Sequence, residues 1–268
     1  MERNRVIDVK IIVASHKEVK MPQDGSLYFP IHVGSEGKPD IGFIGDNTGD
    51  NISSLNPFYC ELTGLYWAWK NLDYDYLGLV HYRRYFTNKS QTYNENINMD
   101  DVILSRSNIE TLLEKSDIIV PKKRKYYIET LYSHYDHTLN GEHLDLARKI
   151  IEQKSPEYLS SFDKVMKQRS GYMFNMFIMK KELLDDYLPW LFSILDTMYE
   201  QMDLTDYTPF ESRLFGRVSE LLFNVWLCKK GITPKEVPFM YMEKVDLLEK
   251  GKSFLMAKFF GKKYGQSF

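Results

Sequence analysis

Leu77-Gly-Leu-Val-His-Tyr-Arg-Arg-Tyr-Phe86 is the segment from which the architecture of this chain is inferred. Leu77 to Val80 form a continuous apolar run, the pattern of a strand covered on both faces. His81, Tyr82, Arg83, Arg84, Tyr85 and Phe86 follow at once. In open α/β sheets, ligands bind just beyond the carboxyl ends of such strands. Here that place carries two guanidinium groups, an imidazole and three aromatic rings. Arginine offers a rigid fork of donors matched to phosphate oxygens, and aromatic faces suit sugar and base rings. A phosphorylated, ring-bearing ligand is expected. The competing reading is a surface hairpin with Arg stacked on Tyr.

Working outward, Val6–Ala14 reads as a first strand that ends in Ser15-His16-Lys17. Residues 20 to 56 are rich in Gly, Pro, Asp and Asn and read as loop, with a short strand at Ile41-Gly-Phe-Ile44. Within them, Gly45-Asp-Asn-Thr-Gly-Asp-Asn51 is dense in turn formers and side-chain acceptors. Asn56-Pro57 predicts a helix start. That helix would place Phe58, Leu62, Leu65, Tyr66 and Trp69 on one face and Glu61, Gly64 and Ala68 beside it, open to close approach. Further helices are expected at Asn108–Lys115, Gly141–Gln153, Pro156–Gln168, Glu182–Tyr199 and Pro209–Lys230. Strands are expected at Asp117–Pro121, at Tyr172–Met179, where Asn175 interrupts an apolar run, and at Glu236–Met242. Strands alternating with helices predict an α/β fold with a mostly parallel central sheet flanked by helices.

The chain has 268 residues, 43% hydrophobic and 27% charged, the balance of a soluble globular protein. Aromatic residues reach 15%, with 19 Tyr, which fits carbohydrate or interface contacts, or a Tyr-rich core. A net charge of −2 argues against nucleic acid as partner. Cys60 and Cys228 each lie in an apolar helical pattern with no metal or disulfide spacing, as buried thiols of a reducing compartment would. Met1-Glu-Arg-Asn-Arg5 runs directly into a strand and does not read as a signal peptide. No run of 18 apolar residues occurs, and a cytoplasmic location is expected.

The dinucleotide-binding, P-loop, nucleophile-elbow and zincin motifs are all missing. His134 and His137 flank Asp136, but a third metal ligand is not evident, and solvated or stacked rings fit better. Lys122-Lys-Arg-Lys125 is a short basic run better suited to a phosphate-facing loop or a solvated turn than to nucleic acid. Thr208-Pro-Phe-Glu211 is a capping box, which gives Glu211 a structural task. Glu220 shares a helical stripe with Arg213, Gly216, Arg217 and Asn224. An ion pair with Arg217 one turn away would explain it. Gly216 in mid-helix costs about 1 kcal/mol relative to Ala, so a glycine there points to close approach, and Glu220 becomes a candidate for catalysis or ligand binding.

Several blocks carry a family resemblance. They are Lys10-Ile-Ile-Val-Ala-Ser-His16, Pro30-Ile-His-Val-Gly34, Gly45-Asp-Asn-Thr-Gly-Asp-Asn-Ile-Ser53, Tyr59-Cys-Glu-Leu-Thr-Gly-Leu-Tyr-Trp-Ala-Trp-Lys-Asn71 and Gly78-Leu-Val-His-Tyr-Arg-Arg-Tyr-Phe86. Later ones are Tyr132-Ser-His-Tyr135, Met173-Phe-Asn-Met-Phe-Ile-Met179 and Arg213-Leu-Phe-Gly-Arg-Val-Ser-Glu-Leu-Leu222. Together they resemble a bacterial family of capsular and exopolysaccharide biosynthesis proteins, long a domain of unknown function and placed among GT-A-like glycosyltransferases. The resemblance implies a GT-A-like (Rossmann-like) domain over residues 1–249 that moves a sugar from a nucleotide donor to a lipid-linked surface glycan. Some relatives are similar to galactofuranosyltransferases that use UDP-galactofuranose. Ordinary GT-A enzymes hold Mg²⁺ or Mn²⁺ with an Asp-x-Asp after the equivalent strand; this chain has His81-Tyr-Arg83-Arg84 there, and its Asp73-Tyr-Asp75 precedes the strand. Two fixed positive charges can stabilise a leaving diphosphate in place of a cation, so metal-independent transfer with no cofactor is expected.

On this resemblance the donor should lie over Ala14, Ser15 and His16, with Asp50, Asn51, Glu61 and His81 nearby and Arg83 and Arg84 on the diphosphate. His134, Asn175 and Trp67 should line the sugar or acceptor side. Glu220 is the first choice for the base that an inverting mechanism needs, and Asp50 the second. A non-catalytic nucleotide-sugar or glycan-binding subunit and another sugar-phosphate transferase are the alternatives. Residues 250–268 interleave Lys250, Lys252, Lys258, Lys262 and Lys263 with Phe254, Leu255, Met256, Phe259 and Phe260. Such a basic amphipathic tail is suited to peripheral contact with an anionic leaflet; a packed helix, with Lys244 or Lys250 closing over the diphosphate, is the competing reading.

Overall fold

Ile11, Ile12, Val13 and Ala14 are fully buried because the strand that carries them, β1 (Val9–Ser15), has neighbours on both sides. The structure is a computed structural model that describes residues 7–244; the basic tail expected at 250–268 lies outside them. After β1 come β2 (Tyr28–His32), β3 (Ile44–Gly45), helices α1 (Asn56–Tyr59) and α2 (Leu62–Asn71), and then β4 (Tyr76–His81) and β5 (Arg84–Phe86). Next are α3 (Met99–Val102), α4 (Arg106–Leu113), β6 (Ile118–Pro121), β7 (Arg124–Lys125), α5 (Leu131–Thr138), α6 (Glu142–Lys154) and α7 (Leu159–Met166). The described chain closes with β8 (Ser170–Gly171), β9 (Phe177–Lys180), α8 (Lys181–Gln201), α9 (Leu214–Lys230), β10 (Lys235–Val237) and β11 (Phe239–Tyr241).

The main sheet runs β10-β6-β9-β4-β1-β2-β3. Its neighbours are parallel except around β9, which is antiparallel to both β4 and β6. Side chains alternate across it, as the two-residue period of a strand requires. Ile12, Ala14, Leu77, Leu79, Val120, Phe177 and Met179 face the helical layer that includes α6, α7, α8 and α9. Val9, Ile11, Val13, Val80, Ile119 and Ile178 face the second core with Tyr85, Phe86, Ile109 and Leu113. Gly78 lets β1 and β9 close on β4, since a Cβ there would sit 3.0 Å from Ile11 and 3.1 Å from Ile178. The expected α/β class with a mostly parallel sheet is what the chain adopts.

Five expectations need correction. The region 20–56 holds β2, paired with β1 from Tyr28 to His32, where Pro30 and flanking turn residues hide a five-residue strand. The helix expected from Asn56 breaks at Cys60, whose φ of 55° is left-handed. Asn56 does not cap it from outside; its Nδ2 donates to the Cys60 carbonyl at the break, 2.8 Å. The Tyr172–Met179 strand shrinks to β9, because Phe174 and Asn175 have φ of 78° and 49° and turn the chain out of the sheet. Thr208 and Glu211 do exchange capping bonds, but α9 starts only at Leu214, and Glu236–Met242 divides into β10 and β11 on different partners.

Asp46 shapes the long loop before α1. It is fully buried and accepts from Gly34 N (2.8 Å), Ser35 N (3.0 Å) and the hydroxyls of Ser35 and Ser53. Replacing it by Ala strands two buried amides, each worth about 1–3 kcal/mol. Asp46→Ala should lower the unfolding free energy by about 2–5 kcal/mol, seen as a lower denaturant midpoint at unchanged m-value. A shift below 0.5 kcal/mol would show that the loop does not depend on this carboxylate.

Candidate active site

The ends of β1 and β4 are tied together, since Tyr82 N donates to the Ala14 carbonyl at 3.1 Å. Tyr82 and Arg83 then form the turn of a tight hairpin, with His81 paired to Arg84 on β5. The segment is thus both a strand end and a hairpin, and Arg83 does stack on Tyr82, 5.6 Å from its centroid. His81 Nδ1 accepts from Arg83 N at 3.2 Å. Burial, followed by the charges of Arg84 and Arg83, holds His81 well below its ordinary value. A neutral imidazole that accepts at Nδ1 carries its proton on Nε2, so His81 presents a donor. His16 is also held low, by partial burial and then by Arg83 and Lys17. Ser15 spends its hydroxyl on Lys17 O (2.7 Å), which leaves backbone and the His16 ring at the tip of β1.

Opposite the hairpin stands α9. Gly216 lets α9 close on the break after α1, as a Cβ there would lie 3.2 Å from the Cys60 Cβ. Arg213 Nε donates to Cys60 Sγ at 3.3 Å. The thiol is pushed up to about 11, by burial and then by Glu61, and is unreactive near neutral pH. Arg84 lies over the Phe174 ring, 4.4 Å from guanidinium carbon to centroid. Burial opposes its charge, while Tyr241, Glu61 and Glu220 favour it.

Asn175 joins these parts. Its Nδ2 donates to Glu61 Oε1 (2.8 Å) and to Gly216 O (2.9 Å), and its Oδ1 accepts from Ser219 Oγ (2.9 Å). Asn224 adds a second clamp. It accepts from Tyr172 N and donates to the carbonyls of Tyr172 and Glu220, all at 2.8 Å. Two amides therefore lace the 172–175 turn to α9 and set Glu61 near Glu220. The Glu220 carboxyl is raised from 4.5 to about 7, by burial first and then by the like charge of Glu61, against Arg217, Arg84 and Arg124. A carboxylate with this midpoint is matched to proton transfer at neutral pH.

Ala14, Ser15, His16, Glu61, His81, Arg83, Arg84, Asn175 and Glu220 thus belong to one neighbourhood. Arg83 also reaches Glu243 at 3.2 Å, and exposed Lys244 follows that carboxylate. His134 stands one ring back. It stacks on Tyr126 at 4.1 Å and shares Glu129 with His137, and Tyr126 in turn feels Glu220. Asp50 lies elsewhere: it accepts from Tyr66 and is tied by backbone bonds to Asn71. Asn71 ends α2 while Glu61 precedes it, and ten residues of helix span about 15 Å. Among the described residues Asn51 bonds inside its own turn, to Gly49 O and from Ser53 N, and Trp67 is buried with its indole on Thr48. Asp73 and Asp75 precede β4, at the end opposite His81. Arg213 and Cys60 were not anticipated. Arg213 was legible, two turns before Glu220 on the same stripe; Cys60 was not, because nothing in an apolar helical pattern announces a left-handed break.

Glu61→Gln should lower the Glu220 midpoint below about 7, since it removes the neighbouring like charge. Carboxyl carbon NMR across a pH titration reads this directly, and an unmoved midpoint would leave burial as the sole cause. Between pH 4.5 and about 7 the unfolded chain has released a proton that folded Glu220 retains, so its contribution to stability falls as pH rises through that window.

Three comparisons bear on this arrangement. No curated protein matches the chain. Among solved structures it is similar to the apo structure of WbbM, a bifunctional glycosyltransferase, with 33% identity and a TM-score of 0.79. The match covers 88% of this chain and 46% of that one, so the chain spans less than half of that protein. The family model described as a domain of unknown function (DUF4422) matches residues 10–231. Because that match runs from within β1 to just past α9 and encloses the cluster from His16 to Glu220, the chain belongs to the DUF4422 family.

Proposed function

We propose that the chain catalyses glycosyl transfer from a nucleoside-diphosphate sugar, with the reaction centred on Glu220. The observation that carries the reading is a carboxyl tuned to about 7 beside Arg84, at the carboxyl edge of a sheet shared with a glycosyltransferase. The donor diphosphate sits against Arg83 and Arg84 over the ends of β1 and β4, with His81 Nε2–H as a further donor. Glu220 takes the proton of an acceptor hydroxyl. The acceptor oxygen bonds to the anomeric carbon as the bond to the phosphate oxygen breaks, and the configuration inverts. The diphosphate leaves with its charge met by fixed guanidinium groups in a water-poor site, where they act most strongly. Asn175 spends both of its amide protons on Glu61 and Gly216 and so positions Glu61.

The donor in this proposal is a UDP-sugar, with UDP-galactofuranose the first to try, and the acceptor is a lipid-linked glycan of surface polysaccharide assembly. Both rest on the sequence resemblance. Among the described residues no three His, Cys, Asp or Glu side chains converge as metal ligands, and Asp46 is occupied by its own loop.

Arg84→Ala and Arg83→Ala should each weaken UDP binding by about ten- to a hundredfold, the loss of a charge-assisted bond worth about 1.5–3 kcal/mol. Calorimetric titration with excess EDTA should give the same affinity as titration with Mn²⁺. Equal affinity in both variants and the parent, or binding only with metal, contradicts this donor site.

Transfer, followed as UDP release with acceptor present, should rise with pH to a plateau above a midpoint of about 7. Glu220→Gln should cut the rate by about 10²–10⁴-fold and abolish the pH limb, with UDP affinity nearly unchanged. Asp50→Asn should remain active. The opposite pattern, an active Glu220→Gln and an inactive Asp50→Asn, would move the base to Asp50.

A further inference from the structure

The run Lys122-Lys-Arg-Lys125 leads into Tyr126-Tyr-Ile128 and forms a short ribbon beside the active-site cluster. Its root is fixed. Lys122 N donates to Val237 O at 3.2 Å, Arg124 and Lys125 pair with Gly171 and Ser170, and Tyr126 N donates to Arg169 O at 2.8 Å. Its tip is a tight turn in which Ile128 N returns to Tyr126 O. Tyr127 at the apex has φ of 52°, a region that bulky residues rarely adopt. Arg169 holds it there through the Tyr127 carbonyl, 3.2 Å. A strained conformation braced in this way points to a purpose for the side chains it displays.

Those side chains are Tyr127, 78% exposed, and Ile128, 70% exposed; the other large hydrophobic residue this open among the described residues is Ile44, which stands apart at 46%. Lys122, Lys123, Arg124 and Lys125 are all exposed just behind them. Glu129, the nearest acid in sequence, is turned inward and bonded to His134 and His137.

We propose that residues 122–128 dock the chain on an anionic phospholipid bilayer. Tyr127 and Ile128 enter the boundary between headgroups and acyl chains, and the four cations meet lipid phosphates. Tyr is favoured at that boundary, and Lys and Arg behind an apolar tip gain from the negative surface. Nucleic acid fits less well. An aliphatic Ile offers neither stacking nor a hydrogen bond to a base, whereas it gains from burial at the acyl-chain boundary. The ribbon adjoins Glu220, on which Arg124 acts, so docking would present the site to a membrane-borne acceptor. That consequence rests on the proposed function; the docking itself does not.

The test is co-sedimentation of the full chain with vesicles of phosphatidylcholine alone or with about one-third phosphatidylglycerol. Binding should need the anionic lipid and weaken with salt. Tyr127→Asn with Ile128→Ser should reduce it by at least about tenfold, Asn being chosen because it tolerates the left-handed apex. Lys122→Gln, Lys123→Gln and Lys125→Gln together should reduce it by about a hundredfold at low salt, near fivefold per charge. Unchanged circular dichroism and melting midpoint would confirm that these surface variants are folded. The proposal is overturned if the chain stays in the supernatant, if both variants bind as the parent does, or if single-stranded oligonucleotide retains the chain while vesicles do not. No turnover enters this measurement, so its failure is separate from a failure of glycosyl transfer.

Discussion

The geometry of the candidate site depends on one side-chain amide. Asn175 has a single carbonyl and two N–H groups, and all three are committed, to Ser219, Glu61 and Gly216. The residue is 8% exposed, so these bonds form in a setting where an unpaired partner is costly. They can form only because Phe174 and Asn175 adopt left-handed backbone, which asparagine tolerates well. The bend that removes five residues from the expected strand is thus the same bend that places Phe174 under Arg84 and turns the amide toward α9.

From that joint the electrostatics follow. Glu61 is held close enough to Glu220 to oppose its ionisation, and burial does the rest. Arginines at 84, 213 and 217 surround the two acids, so charges of both signs share a small volume. An excess of either sign would settle the proton: more acids would keep Glu220 protonated, more cations would keep it ionised. The balance leaves it poised near neutrality. Cys60 and Gly216 allow this crowding, the first by breaking the helix ahead of Glu61 and the second by removing the side chain that would hold α9 away.

The sequence made the fold class legible because buried parallel strands have continuous apolar runs, and Leu77–Val80 and Ile118–Pro121 are such runs. It made the position of the cluster legible for the same reason, since charged residues directly after a buried strand have few places to go. It hid β2, where Pro30 interrupts the pattern, and it hid the turn before β9, where apolar residues continue through a bend. Side-chain roles were harder still. Asp50 and Trp67 sit in conspicuous blocks but bond to Tyr66 and Thr48 around the far end of α2. Asn175, expected on the sugar or acceptor side, also braces Glu61 against α9. Such distinctions depend on which partner an amide or carboxylate finds across the fold, and no local pattern encodes that.

The placement of β9 has a kinetic consequence. It sits at the middle of the sheet, yet Tyr76 on β4 waits for Lys180, and Ile119 on β6 waits for Ile178. During synthesis, β1, β2 and β4 can associate early through near-parallel crossovers, but β4 then presents a bare edge until the ribosome has delivered a further hundred or so residues, at about 5–20 residues per second. Non-local pairing of this kind slows folding and leaves strand edges open to other nascent chains. The candidate site lies across that late seam, so partially made chains carry Glu61 and the arginine hairpin without Glu220 of α9, and the cluster acquires its balance of charge only when the sheet closes.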